Sequence, residues 1–396
     1  MLCIFWLRLL LKIVIAPDSF KESLSAAAVA RAIEQGIKSA LPQAHTICVP
    51  MADGGEGTLD AVLSVTGGQR REQVTTDALG RHRQAAWGWL PNQTAIIEMA
   101  CAAGLEHIAP SDRDPLKADT HGVGELIASA LDAGARRIVL TAGGSATNDG
   151  GAGMLRALGM KFFDEDGQPL APGGQALARL HRIDASGLDP RLRQLEMVIA
   201  TDVRNPLCGP NGASAIFGPQ KGATPEMVQT LDQALAQFAR ITAQTTGSDR
   251  QNDAGAGAAG GLGFAAIAWM GASTRPGVDV VAELANLEEA IASADLVFTG
   301  EGRMDSQTLQ GKTPWGVMRI AQAHDVPVIA LAGSLGEGYQ ALYDAGLTAA
   351  FSLVNGPVDL QRALQQAAEL LKARSTDIMR LWLATPHVRL AHQSSE

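Results

Sequence analysis

Short apolar runs alternate with helical periodicity at both ends of the chain. Residues 12–15 predict a strand, and Val29, Ile33 and Ile37 recur on one face of the helix predicted after it. The alternation returns after residue 293, with strands predicted at 295–299, 327–332 and 349–354 and helices at 315–324 and 360–382. Such alternation is typical of a parallel sheet covered by helices.

The middle of the chain has a different pattern. Residues 73–76, 84–89 and 94–99 are short runs separated by turn residues, which predicts antiparallel strands. A helix at 124–133 and strands at 137–141 and 197–200 come after them. This segment therefore looks like an insertion of mixed strands into the fold that the two ends share.

The fold class we expect is α/β with two domains. A discontinuous, three-layer parallel-sheet domain of the Rossmann or flavodoxin type takes residues 12–75 plus 290–383, and a mixed α/β domain inserted into it takes residues 76–289. Residues 1–11 form an N-terminal extension that a start codon chosen too early would explain, and residues 384–396 form a C-terminal tail. A ligand cleft is expected between two such domains.

The composition and charge of the chain exclude several classes of function. The 396 residues carry a formal charge of -9, so the chain lacks the basic footprint of a nucleic-acid-binding protein. No apolar run reaches the roughly 18 residues that a membrane span needs. The four cysteines show neither metal-ligand nor disulfide spacing. We expect a cytoplasmic protein with a small-molecule ligand, and we leave open whether it is a monomer or a homodimer.

Two familiar nucleotide-binding signatures lack their required context. Residues 255–260 match G-x-G-x-x-G, but polar residues precede them where the Rossmann fingerprint needs a strand. Gly311-Lys312-Thr313 resembles the end of a P-loop, but Ser306 stands where the leading glycine should be. A nicotinamide-dependent dehydrogenase is therefore disfavoured, and no Walker A motif is present.

The Gly-rich segment 143–151 is the strongest local motif, because a predicted strand enters it and a predicted helix leaves it. Its backbone and side chains can donate hydrogen bonds to phosphate oxygens, through Gly143, Gly144, Ser145, Thr147 and Asn148. Asp149 is suited to hold Mg²⁺ directly or through water. The alternative is a tight turn in which Asp149 or Asn148 merely caps the helix.

Polar residues follow other predicted strands as well. They form four groups: Asp18, Ser19 and Lys21; Asp53 and Glu56; Asp202, Arg204 and Asn205; and Glu301, Arg303 and Asp305. Open parallel sheets bind ligands at the carboxyl ends of their strands, so these groups predict a site for a phosphorylated or carboxylated small molecule. Helix capping, solvated lysines and a salt-bridged loop corner are the structural alternatives.

Several motifs together resemble the bacterial glycerate kinase family, class I. They are Ala16 to Lys21, Ala52 to Thr58, the 143–151 loop, Thr201 to Leu207, Phe217 to Lys221 and Thr299 to Lys312, within a match from about residue 12 to 383. The resemblance implies two α/β domains and ATP-dependent phosphorylation of D-glycerate at the 2-hydroxyl, giving 2-phosphoglycerate. Phosphorylation at the 3-hydroxyl and a non-catalytic sugar-acid sensor stay open as alternatives.

Roles for single residues come from this resemblance and from the chemistry of the side chains. We expect Asp202 to be the catalytic base, with Asp53 as its competitor, and Lys21 to hold either the transferring phosphoryl group or the carboxylate of glycerate. Substrate binding is expected of Asp18, Ser19, Arg204, Asn205 and Arg303. ATP or phosphate binding is expected of the 143–148 residues named above and of Glu301, and Mg²⁺ binding of Asp149 or Asp305.

Overall fold

The computed structural model describes residues 11–384, so most of the expected N-terminal extension and C-terminal tail lies outside the described residues. The strands, in chain order, are β1 (Lys12–Ile15), β2 (His45–Cys48), β3 (Gln69–Thr76), β4 (His82–Leu90), β5 (Thr94–Glu98), β6 (Arg137–Thr141), β7 (Lys161–Phe163), β8 (Arg182–Asp184), β9 (Glu196–Ala200), β10 (Ser273–Arg275), β11 (Leu296–Met304), β12 (Val328–Leu335) and β13 (Ala349–Ser352).

The α-helices lie mostly between these strands. They span Ala26–Ala40, Thr58–Thr66, Met99–Ala103, His121–Asp132, Ala152–Ala157, Ala213–Phe217, Pro225–Thr246, Ala258–Met270, Gly277–Leu284, Leu287–Ala292, Thr313–Ala323, Ala341–Asp344, Leu360–Gln365 and Ala367–Ala384. The helix predicted at 360–382 is therefore two helices, with a break at Gln366. Within residues 11–384, no helix is both long and apolar enough to cross a membrane.

The chain divides into two compact units. The first runs to Ala52 and resumes at Ala282, and the second spans Asp53–Val281. The expected boundaries lie later, after residues 75 and 289. The difference at the first boundary has a physical cause, because β3 pairs antiparallel with β4 along its whole length and so belongs to the sheet of the second unit.

The first unit is built on a parallel sheet with the strand order β13-β12-β11-β1-β2. Every neighbouring pair in it is parallel, which confirms the sheet predicted from both ends of the chain. Val29, Ile33 and Ile37, the apolar stripe of the helix Ala26–Ala40, are fully buried in its core. That helix also packs against Ala367–Ala384, so elements from the two chain segments share one core.

The second unit has a mixed six-stranded sheet with the order β10-β9-β6-β5-β4-β3. Strands β5, β6, β9 and β10 run parallel to one another, whereas β4 pairs antiparallel with both β3 and β5. Three phenylalanines, Phe162, Phe238 and Phe264, pack edge to face in its core. The parallel strands bring four carboxyl ends to one edge of the sheet, and the candidate site lies there.

Gly36 tests the close packing of helices in the first unit. A Cβ at this position would overlap the backbone carbonyl oxygen of Lys372 on the helix Ala367–Ala384. We expect Gly36→Ala to lower the free energy of unfolding by about 1–3 kcal/mol through overpacking, although alanine favours a helix by about 1 kcal/mol. Urea unfolding measures this, with the exposed neighbour Gln35→Ala as the control. A Gly36→Ala protein as stable as the wild type would contradict the packing.

Candidate active site

The turn at residues 53–55 packs directly against three backbone segments of the second unit. A Cβ on Gly277 would overlap the carbonyl oxygen of Asp53, and a Cβ on Gly143 would lie 2.7 Å from the Cα of Gly55. Gly54, at φ +89°, faces the carbonyl oxygen of Ala200 at the end of β9. The turn therefore brings the Gly-rich loop, the end of β9 and the start of the helix Gly277–Leu284 together.

This packing places Asp53 and Asp202 within electrostatic reach of each other. Asp202 follows β9, and burial of its carboxyl group together with the negative charge of Asp53 raises its pKa to about 6. The backbone N–H of Gly277 donates to the Asp202 carboxylate and opposes that rise. Although the residue as a whole is exposed, its carboxyl group is thus partly desolvated and can exchange a proton close to neutral pH.

The Gly-rich loop after β6 is held by backbone hydrogen bonds to the segment that follows β5. Leu105 N donates to Gly144 O at 2.8 Å, and Ala146 N donates to Ala103 O at 2.9 Å. Gly144 has φ +70°, a left-handed conformation that suits glycine. The loop is therefore a fixed element of the second unit, placed by its neighbours at the carboxyl ends of β5 and β6.

The polar side chains of this loop are more buried than the sequence suggests. Ser145 is 8% exposed, and neither Thr147 nor Asn148 has measurable exposure. Asn148 Nδ2 donates to Ser214 Oγ at 2.8 Å. Thr147 Oγ1 and Asn148 Oδ1 are buried and have no hydrogen-bond partner among the described residues. The loop thus holds polar atoms whose bonding capacity the protein leaves unused.

Asp149 caps the start of the helix Ala152–Ala157, which is the structural alternative that the sequence leaves open. Its carboxylate accepts hydrogen bonds from Thr120 N at 3.0 Å, Thr120 Oγ1 at 2.7 Å, Gly151 N at 3.1 Å and Gly153 N at 3.0 Å. The side chain is fully buried, and these four donors occupy both of its oxygens. The geometry therefore does not suit the expected role as a Mg²⁺ ligand.

The sequence prediction missed Lys221, which lies beneath the same loop. Its side chain is buried, and Nζ donates to Ser145 Oγ at 2.8 Å and to Thr147 O at 2.7 Å. Burial lowers the pKa of Lys221 to about 7, although the negative charge of Asp149 acts against this shift. Lys221 ends one of the motifs that carry the family resemblance, but its target, 76 positions away, has no local signal in the sequence.

Glu98 is another buried group that the sequence prediction missed. It ends β5, accepts a hydrogen bond from Leu59 N at 2.5 Å and one from Cys101 Sγ at 3.7 Å. Burial is the main reason that its pKa rises to about 7. Because it accepts the Leu59 N–H in the first turn of Thr58–Thr66, its clearest role is to orient that helix.

The G-x-G-x-x-G match at 255–260 has a packing role in this structure. Gly150 N donates to Gly260 O at 3.0 Å, and a Cβ on Gly260 would overlap the carbonyl oxygen of Thr147. Gly257 N donates to Asn205 O at 2.9 Å. The glycines thus let this segment approach both the Gly-rich loop and the segment after β9. No strand directly precedes them, in agreement with the objection raised from the sequence.

Arg204 and Asn205 follow Asp202 but differ in their surroundings. The Asn205 side chain donates to Asn211 O at 2.8 Å and so stabilises its own loop. Arg204 is exposed, and among residues 11–384 it forms no ion pair with a carboxylate. A guanidinium of this kind is available to a carboxylate or phosphate ligand. The alternative of a salt-bridged loop corner therefore does not describe Arg204.

The first unit has its own group of candidate residues where β1 and β11 end. Asp18 N donates to Gly300 O at 2.8 Å. The carboxylate of Asp18 accepts from Ser19 N at 2.6 Å and from Thr313 Oγ1 at 2.5 Å. Lys21 lies on the exposed turn after them. Asp18 and Ser19 are thus tied to the start of the helix Thr313–Ala323.

Glu301 lies on β11 and is engaged on both carboxylate oxygens. Thr308 Oγ1 donates to Oε1 at 2.7 Å, and Lys312 Nζ donates to Oε2 at 3.1 Å. Burial raises the pKa of Glu301, and these two donors counteract it. These contacts give Glu301 the role of holding Lys312, rather than of touching phosphate itself. The resemblance of 311–313 to a P-loop end is the signal that could have pointed to Lys312 and Thr313.

Arg303 and Asp305 pair with each other instead of forming a metal site. Arg303 Nε lies 3.2 Å from Asp305 Oδ2, and Asp305 also caps the 3₁₀ helix Ser306–Leu309 through the N–H of Gln307. The Asp305 carboxylate is thus engaged within the protein, as that of Asp149 is, and neither arrangement suits the expected role as a Mg²⁺ ligand.

A cavity of about 980 Å³ in the second unit contains none of the predicted site residues. It is lined by the β3–β4 turn and by groups that include Asp119, His121 and Arg156. Asp119 pairs with Arg156 Nη1 at 3.2 Å. Asp119 and His121, which line the cavity, flank Thr120, whose contacts to Asp149 are described above.

Comparisons with known proteins agree on one family. The sequence profile of the glycerate kinase family matches residues 13–383. A glycerate kinase from Bacillus subtilis is 50% identical over 370 residues, covering 93% of this chain and 97% of that protein. A glycerate 2-kinase from Escherichia coli is 47% identical over 369 residues, with the same coverage. A crystal structure from Salmonella typhimurium, described as a putative glycerate kinase 2, superposes with a TM-score of 0.87 at 48% identity, covering 94% of this chain and 98% of that one.

A substitution of Asp149 distinguishes a role in capping a helix from a role as a Mg²⁺ ligand. Asp149→Asn replaces one acceptor oxygen by a donor amide, so at least one buried N–H group loses its partner. We expect the free energy of unfolding to fall by about 1–3 kcal/mol while the dependence of activity on Mg²⁺ is unchanged. Asp305→Asn is the control, because asparagine caps a helix about as well as aspartate. An Asp149→Asn protein of wild-type stability that needs much more Mg²⁺ would restore the metal role.

Proposed function

Because the chain belongs to the glycerate kinase family, we propose that it transfers the γ-phosphoryl group of ATP to the 2-hydroxyl of D-glycerate, giving 2-phosphoglycerate and ADP. The family supports an enzyme with a nucleotide co-substrate. The choice of the 2-hydroxyl is supported by the Escherichia coli relative, which is named a glycerate 2-kinase.

The observation that carries the mechanism is the shared turn at residues 53–55. Through its close backbone contacts it places a carboxyl group of raised pKa, Asp202, on the same framework as the Gly-rich loop after β6. Phosphoryl transfer depends mainly on positioning and on neutralising charge, and it requires no covalent enzyme intermediate. Such a reaction needs a proton acceptor and a group of hydrogen-bond donors that contact the phosphate oxygens.

In the proposed step, the oxygen of the substrate hydroxyl attacks the γ-phosphorus, and Asp202 accepts the proton that this hydroxyl loses. The new P–O bond forms while the bond from the γ-phosphorus to the bridging oxygen of ADP breaks, and Asp202 later returns its proton to solvent. Burial of the Asp202 carboxyl group and the negative charge of Asp53 together raise the pKa of Asp202 to about 6, which suits it to take this proton. The loop residues 143–148 are proposed to contact the phosphates of ATP.

Cationic groups complete the proposal. Arg204, exposed and without a carboxylate partner in the described residues, is proposed to hold the carboxylate of glycerate. Lys21 is proposed to neutralise the transferring group, and Asp18, Ser19, Asn205 and Arg303 remain proposed substrate contacts. Magnesium enters as the ion that accompanies ATP, because the two predicted protein ligands do not fit it, and no step is assigned to a protein-bound metal.

One experiment tests both the phosphoryl transfer and which hydroxyl of D-glycerate receives the phosphoryl group. Purified protein with Mg²⁺, ATP and D-glycerate should release ADP, and phosphorus NMR should show the new ester on the secondary carbon. D-lactate, which has only the 2-hydroxyl, should be a weak acceptor, and 3-hydroxypropionate, which has only the 3-hydroxyl, should be inert. A primary ester would overturn the position but keep the kinase. Tight D-glycerate binding without any turnover would instead support the sensor function.

The pH dependence tests the base. Asp202 must be ionised to accept a proton, so kcat/KM should be half-maximal near pH 6, approach its full value at higher pH and fall about tenfold per pH unit well below pH 6. Asp202→Asn should lower kcat by about 10²-fold or more. Asp53→Asn should move the acidic limb to lower pH, because it removes a negative charge that raises the pKa of Asp202. The exposed Asp166→Asn is the control. An Asp202→Asn enzyme with nearly full kcat would exclude Asp202 as the base.

A further inference from the structure

A buried lysine lies under the Gly-rich loop of the second unit. Lys221 has 1% exposure, and it reaches the loop from the 3₁₀ helix Pro219–Lys221. Lysine is almost never fully buried unless it is paired, because an ammonium loses a large hydration free energy in the protein interior. The position of Lys221 therefore calls for a compensating interaction.

The anion that acts on Lys221 from within the protein is Asp149. Its carboxylate forms no ion pair with Lys221, since the four hydrogen bonds to Thr120, Gly151 and Gly153 already occupy it. An anion bound on the loop would therefore supply the negative charge that the protein itself does not place in an ion pair with Lys221.

The direction of the hydrogen bonds shows how Lys221 acts. Burial lowers the pKa of Lys221 to about 7, and an anion bound nearby favours its protonated form. An ammonium can only donate, so in that form the Ser145 oxygen is the acceptor in its bond to Lys221. The hydroxyl proton of Ser145 must then point away from Lys221. The second bond, to the carbonyl oxygen of Thr147, fixes the backbone two residues further along the loop. Thr147 Oγ1 is buried and has no partner in the described residues.

We propose that Lys221 is a positioning residue that orients the Ser145 hydroxyl as a hydrogen-bond donor toward a phosphate oxygen of the nucleotide and places a positive charge beneath that phosphate. The inference rests on the proposed function, because it takes the loop as the nucleotide-phosphate site. Lys221 acts through Ser145 and the loop backbone and does not itself touch the reacting atoms. A buried charge is screened less by salt than an exposed one, so its effect on a bound phosphate is correspondingly large.

The test is a double-mutant cycle on nucleotide binding. Lys221→Met removes the charge with little change in volume, and Ser145→Ala removes only the hydroxyl. Calorimetry with Mg²⁺ and a non-hydrolysable ATP analogue should give a Kd raised about 10- to 100-fold for Lys221→Met and about 10-fold for Ser145→Ala. The double variant should bind about as weakly as Lys221→Met alone, because the lysine acts through the serine. Lys161→Met, an exposed lysine in the same unit, is the charge control.

Steady-state kinetics separate positioning from a merely structural role. We expect KM for ATP to rise in Lys221→Met while KM for D-glycerate changes less than about threefold, because the loop is assigned to the nucleotide alone. Thermal unfolding establishes that each variant is folded. If Lys221→Met does not fold, Ser145→Ala decides, since tight nucleotide binding by that variant would overturn the proposal. Additive effects in the cycle would also overturn it.

The two proposals fail in different ways. A wild-type protein that binds the ATP analogue but does not phosphorylate D-glycerate contradicts the proposed function, while the binding cycle still decides the role of Lys221. A wild-type protein that phosphorylates D-glycerate, with a Lys221→Met variant that binds and turns over nucleotide normally, contradicts only the inference about Lys221.

Discussion

The candidate site of the second unit depends on a steric constraint, the approach of backbone segments with no side chain between them. Gly277 meets the carbonyl of Asp53, Gly143 meets Gly55, and Gly54 meets the end of β9. A methyl group at position 277 or 143 would force these segments apart. Since the same contacts bring Asp53 close to Asp202, they contribute to the raised pKa of the proposed base, which burial of its carboxyl group raises most. Here the chemistry is a consequence of backbone packing.

Beneath that packing, buried polar groups determine the shape of the loop. Asp149 accepts a hydrogen bond from an N–H group at the start of the helix Ala152–Ala157 that would otherwise be unpaired. Lys221 Nζ donates to both Ser145 Oγ and Thr147 O. Each of these groups is costly to bury, so each is kept in place by several hydrogen bonds. A loop anchored in this way can meet a phosphate without the ordering cost that a mobile loop would have.

Local periodicity in the sequence predicts the elements well, and prediction fails where distant segments meet. The parallel sheet of the first unit and the strand ends that precede Asp18 and Asp202 are recognisable, because apolar runs and the polar residues after them are adjacent in the chain. Glu301, expected to follow its strand, lies within β11, which continues to Met304. The first boundary is predicted too late, because the pairing of β3 with β4 is a tertiary choice. The contacts of Lys221 with Ser145 and Thr147, and of Asp149 with Thr120, could not be predicted for the same reason. An aspartate before a helix suits a cap and a metal ligand equally, and only its four donors show that Asp149 is a cap.

Electrostatics explains why the buried and local cations matter more than the net charge. The chain carries a formal charge of -9, while ATP and glycerate are both anions. At physiological ionic strength the field of exposed charges decays over about 8 Å, so most of the surface carboxylates have little influence on a bound phosphate. Under the proposed mechanism, the charges that matter are those within the site: Asp53 and Asp202 repel a second negative charge, whereas Lys221 and Arg204 attract it. Burial, together with the negative charge of Asp53, raises the pKa of Asp202 to about 6, so anionic substrates at this site would need cations close by. A lysine buried under the loop would supply one such charge without competing with the substrate for space.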